Sequence, residues 1–88
     1  MKIYKIGGKK CPECKVMKPM WAEIEKEMPD LKTEYFDDIK NLEIVKKYNI
    51  LDVPTFLFLD DEGNELSRLA NIQTKERLIK EINKWKNN

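Results

Sequence analysis

The chain has 88 residues, with 17 basic and 16 acidic side chains and a formal net charge of +1. A chain this short has material for one core, so a single domain spanning residues 1–88 is expected. So even a charge balance gives no global field for nucleic acid or an anionic membrane surface, and neither is expected as a partner.

The first residues, "MKIYKIGGKK", lack the apolar stretch and small-residue cleavage site of a secretory leader. The longest apolar run, Phe56-Leu57-Phe58-Leu59, is too short for a membrane span. The expected location is therefore cytoplasmic. Within that first segment Ile3, Tyr4 and Ile6 predict a strand over Lys2–Ile6, closed by Gly7-Gly8. After Cys11 the apolar residues Met17, Met20, Trp21, Ile24 and Met28 recur at helical spacing and mark one face of a helix that ends at Pro29-Asp30. Pro12 suits the first turn, where its missing N–H would have no partner, whereas Pro19 is expected to kink the helix. Lys32–Asp37 is the second strand.

Asn41 is placed to cap a short helix carrying Leu42, Ile44, Val45 and Tyr48, which stops near Asn49. Thr55–Leu59 is a continuous apolar run, the pattern of a central strand covered on both faces. "DDEGNE" then forms a hairpin connection, with Gly63 or Asn64 able to take positive φ, into an antiparallel strand over Glu65–Leu69. Thr74 caps a last helix with an apolar stripe of Leu78, Ile79, Ile82 and Trp85. The order is βαβαββα, an α/β architecture. Trp21, Trp85 and the methionines fall on apolar helical faces and are read as core.

Both cysteines lie in "KKCPECKVMKP". As a brace, a bridge closing so short a loop stabilises by only roughly 2 kcal/mol in the chain-entropy account. A structural metal wants four ligands, and this chain has one cysteine pair and no histidine. A metal or iron–sulfur role would need carboxylates, a dimer mate or an exogenous thiol. The pair's position favours redox chemistry instead: it follows a strand and opens an amphipathic helix inside a βαβ pattern. There the helix end and Lys9, Lys10 and Lys15 favour a thiolate on Cys11, opposed by Glu13. Cys11 is thus expected to be the exposed attacking sulfur, with Cys14 a turn behind as the resolving one.

"CPECKVMKPMWAEIEKEMP" resembles the active-site helix of the thioredoxin superfamily, with Pro19 five residues after the second cysteine. "YNILDVPTFLFLDDEGNEL" resembles the superfamily's other hallmark segment, and the resemblance extends over nearly the whole chain. The resemblance implies a thioredoxin fold with a central mixed four-stranded sheet flanked by helices. It implies a protein-disulfide reductase with no cofactor and no metal, a monomer that reduces disulfide-containing proteins. A thioredoxin reductase-like flavoprotein or glutathione would recharge it. It also implies that Pro54 is cis and faces the cysteines, that the Val53 backbone pairs with an extended substrate, and that Lys10, Pro12 and Glu13 border the substrate.

The sequence departs from the thioredoxin pattern at several places. Lys10 precedes the first cysteine where thioredoxins usually carry an aromatic residue, and Pro-Glu separates the pair, a proline-first dipeptide closer to that of glutaredoxins. Lys5 stands where thioredoxin has its buried acid, so the acceptor of the Cys14 proton is unassigned; Asp37 and Asp38 are candidates. A glutathione-dependent, glutaredoxin-like activity is the alternative within redox chemistry, although "RLANIQTKERL" lacks the glycine-glycine-acid segment of glutaredoxins. A dimeric carrier of metal or an iron–sulfur cluster is the alternative outside it.

Overall fold

The apolar periodicities become two packed layers on either side of one sheet. The computed structural model describes residues 1–87. Its elements are β1 (Lys2–Gly7), α1 (Pro12–Glu27), β2 (Lys32–Asp37), α2 (Leu42–Lys47), β3 (Thr55–Leu59), β4 (Glu65–Ala70) and α3 (Lys75–Trp85). Strand order is β2-β1-β3-β4, with β1 parallel to β2 and antiparallel to β3, and β3 antiparallel to β4. The sheet is therefore mixed, as expected.

Every residue of β3 is buried, which explains its unbroken hydrophobicity. Because successive strand residues point to opposite faces, Phe56 and Phe58 join Ile3, Met17, Trp21, Ile24, Leu78 and Ile82 in the layer under α1 and α3. Leu57 and Leu59 join Ile6 and Tyr48 in the smaller layer beside α2. Each fully buried side chain of this kind contributes about 1.5–3 kcal/mol, so the α1–α3 layer is the larger source of stability.

Several local expectations are refined. α1 continues through Pro19, whose missing N–H removes one bond of the helix, while Met17, Trp21 and Ile24 stay buried on both sides of it. Asn41 occupies the N-cap of α2, but its side chain makes no capping bond and donates to the Asp37 carbonyl. Leu42 is 57% exposed instead of joining the apolar face. Two residues before Ile44, it points about 160° away from it around the helix. Gly63 is the hairpin residue at positive φ (89°), and the Tyr48 hydroxyl donates to its carbonyl at 2.7 Å. Thr74 caps α3 by accepting the Arg77 backbone N–H at 3.1 Å. Inside that helix Glu81 is buried at 3% exposure and accepts from Ser67, Arg77 and Trp85.

The register of the central strands positions the site. Ile6, near the end of β1, pairs with Thr55, the first residue of β3. The loop that leaves β1 and the loop that enters β3 therefore emerge side by side.

Candidate active site

The loop leaving β1 delivers Cys11 to the N-cap of α1 in an extended conformation (φ −126°, ψ 98°), and Pro12 opens the helix. Cys14, in the first turn, forms a disulfide with Cys11, their Cα atoms 5.2 Å apart. The Cys14 backbone N–H donates to Cys11 Sγ at 3.1 Å. Cys11 thus performs the task of a serine or aspartate cap, satisfying one of the helix's unpaired N–H groups with sulfur. The same contact and the positive end of the helix dipole favour negative charge at that sulfur.

Exposure corrects one expectation. Cys11 is only 6% exposed, while Cys14 is half-buried. The capping geometry folds the Cys11 side chain back over the first turn, whereas the flank of Cys14 opens on a cavity. Lys10 and Pro12 are exposed and Glu13 is half-buried.

The second loop meets the first as anticipated. The Val53–Pro54 peptide bond is cis. Its surroundings are fixed by Thr55 Oγ1 donating to the Asp52 carbonyl at 2.6 Å and by the Asn71 N–H donating to the Pro54 carbonyl at 2.8 Å. Pro54 is buried and Val53 half-buried. Cys14 and Pro54 border one cavity of about 310 Å³, together with Lys5, Trp21 and Tyr35. Cys11, Val53, Lys10, Pro12 and Glu13 do not line it.

Neither acidic candidate borders that cavity. Asp37 Oδ1 accepts the backbone N–H groups of Ile39 and Lys40 at 2.9 and 3.0 Å. These bonds, that from Lys40 foremost, hold its carboxyl below the usual range. Asp37 therefore shapes the turn after β2. Asp38 lies against Gly8, with a buried Oδ1 that has no hydrogen-bond partner. Tyr35 is largely exposed, and partial desolvation of its phenol raises its pKa, with Asp37 and Asp38 raising it further.

Lys5 brings in residues that the sequence reading missed. Its ammonium lies 2.5 Å from Glu25 Oε2, which also accepts from Thr33 Oγ1 at 2.8 Å. It stands 5.8 Å from the centroid of the Trp21 ring. The available signal was spacing: Glu25 falls four residues after Trp21 and therefore on the flank of the same stripe. Among the described residues no group of three or more His, Cys, Asp or Glu is gathered as a metal site, and no helix is long and apolar enough to cross a membrane.

A dithiol that closes into a disulfide across one helical turn gives up two electrons and two protons, and a partner disulfide is the acceptor matched to that chemistry. The chain is a thiol–disulfide oxidoreductase. The thioredoxin family model matches residues 6–84. Thioredoxin of Bacillus subtilis is 35% identical over 75 residues, covering 84% of this chain and 71% of the relative. Thioredoxin of Methanocaldococcus jannaschii is 31% identical over 85 residues, covering 96% of this chain and 94% of the relative. The solved structure of thioredoxin 1 from Thermosipho africanus superposes with a TM-score of 0.82 at 32% identity, covering 97% of this chain and 93% of that one. The chain belongs to the thioredoxin family.

Proposed function

We propose that this protein reduces protein disulfides, with Cys11 as nucleophile and Cys14 as resolving thiol. The Cys11 thiolate attacks a substrate sulfur and expels the other as thiolate, forming a mixed disulfide. Cys14 loses its proton and attacks Cys11 Sγ. The mixed disulfide breaks, the substrate leaves as dithiol after taking up two protons, and Cys11–Cys14 carries the oxidation. The observation that carries this assignment is the Cys14 N–H donated to Cys11 Sγ at 3.1 Å at the start of α1. It supports Cys11 as the sulfur better placed to carry negative charge, although Cys14 is the more exposed of the two.

In this reading the Val53 backbone beside Pro54 holds an extended substrate segment. Lys10, Pro12 and Glu13 form the adjoining surface, with Lys10 attracting acidic partners. The protein acts as a single-domain cytoplasmic monomer in an electron-transport role, recharged by a flavoprotein reductase of the thioredoxin reductase class. Support comes from thioredoxin relatives that match most of the chain.

The test is reduction of insulin disulfides with a thioredoxin reductase and its nicotinamide donor as the sole electron source. Turnover that is lost in Cys11→Ser is the expected result. Turnover with glutathione and glutathione reductase, but none with the flavoprotein, would overturn the donor. Failure to reduce insulin with dithiothreitol would overturn the activity.

A further inference from the structure

Lys5 is an inward-facing charge, and its position calls for a reason. Along β1 the side chains alternate, so Ile3 and Lys5 share the face turned toward α1 while Tyr4 and Ile6 enter the opposite layer. The Lys5 side chain is 18% exposed. Placing an ammonium under a helix costs desolvation free energy that a leucine there would not. Glu25, which also accepts from Thr33, pairs with its ammonium, and Lys5 lines the cavity that Cys14 borders.

We propose that Lys5 is a positioning residue for the resolving step, its ammonium stabilising the Cys14 thiolate across that cavity, with Glu25 as the counter-charge that moderates it. The proposal rests on Cys14 being the resolving thiol. In the mixed disulfide Cys14 gives its proton to cavity water, and its sulfur electron pair forms the bond to Cys11 Sγ. The Cys11–substrate bond breaks, and the leaving substrate sulfur takes up a proton from solvent. Lys5 neither gains nor loses a proton in the cycle.

The groups around Lys5 come from α1, β2, β3 and the loop entering β3. α1 contributes Cys14, Glu25, Lys15 and Lys18, β2 contributes Thr33 and Tyr35, and β3 and the loop entering it contribute the apolar Phe56 and Pro54. Lys15 and Lys18 are exposed and act through solvent. Tyr35, its pKa raised by partial desolvation and by Asp37 and Asp38, stays neutral at physiological pH. Lys5, paired with Glu25 behind it, is therefore the charge set by the fold against this cavity.

Stopped-flow reaction of the reduced protein with dithiobis-nitrobenzoate tests this. The first thionitrobenzoate released reports attack by Cys11, and the second reports resolution by Cys14. Lys5→Gln is expected to slow the second phase about tenfold near neutrality and to move its rise to higher pH, the size and sign of losing a nearby opposite charge. Lys5→Arg is expected to restore both. Glu25→Gln removes the counter-charge, so its profile is expected to move to lower pH.

A second phase within twofold of wild type in Lys5→Gln would overturn the proposal. So would slowing by the same factor in both phases at every pH, or a Glu25→Gln shift in the same direction as Lys5→Gln; either marks the pair as a brace. A second phase that persists in Cys14→Ser would instead refute the cysteine roles on which the proposal rests.

Discussion

Cys11 Sγ accepts the backbone N–H of Cys14 at 3.1 Å, so a reactive sulfur is also the cap of its own helix. Serine is a strong N-cap and alanine is not. Among reduced proteins, Cys11→Ala is expected to be less stable than Cys11→Ser by about 1 kcal/mol, the usual worth of a cap. Urea unfolding of the two variants measures it. Equal midpoints would mean that the sulfur does not cap α1 once the disulfide opens.

The division of labour between the cysteines predicts an asymmetry in trapping. Cys14→Ser is expected to accumulate mixed disulfides with protein substrates, because Cys11 attacks and nothing resolves, while Cys11→Ser is expected to accumulate few. Non-reducing gels after incubation with oxidised insulin give the answer. The reverse pattern would exchange the two roles.

Glu81 makes stability depend on pH. Burial works to raise its pKa, but hydrogen bonds from Ser67, Arg77 and Trp85 and the Arg77 charge outweigh burial and lower it from 4.5 to about 2. A carboxyl depressed in the folded state stabilises fully above its unfolded value and loses that contribution as pH falls through its folded value. The protein is therefore expected to lose stability between about pH 4.5 and pH 2 through this group, by an amount on the order of 3 kcal/mol. Unfolding free energies of wild type and Glu81→Gln should differ most near neutrality and converge toward pH 2. Parallel curves would refute the assignment.

Gly63 turns the β3–β4 hairpin with φ at 89°. A side chain there meets only the Tyr48 hydroxyl oxygen, 3.5 Å from its Cβ, so the expected cost is conformational and not steric. Gly63→Ala should destabilise by about 1–2 kcal/mol, the cost of left-handed backbone for an L-residue. Disulfide reduction should be unaffected, since the hairpin lies at the far end of β3 from Pro54. Thermal unfolding together with insulin turnover checks both halves.

Much of the fold was legible because the signals were periodic. The run Thr55–Leu59 could only be buried on both faces, and the stripe through Met17, Trp21 and Ile24 required a helix. The cysteine pair and Pro54 were legible because local sequence marks both. What escaped the reading depends on contacts across the fold. The exposure of Leu42 follows from where the six-residue α2 sits over the sheet. Glu25 and Lys5 are twenty positions apart and look like ordinary surface charges until β1 and α1 are packed face to face. The burial of Cys11 relative to Cys14 was likewise invisible, because it is set by a side chain turning back over its own helix.

The pairing of Ile6 with Thr55 reaches beyond placing two loops together. Both loops hang from the two interior strands, each bonded along both edges, while β2 and β4 form the rims. Amide hydrogens in β1 and β3 should accordingly be the slowest to exchange, since such strands open only with the whole molecule. The chemistry is suspended from the two strands bonded on both edges, so local opening of the rims is expected to leave the alignment of sulfur and proline undisturbed.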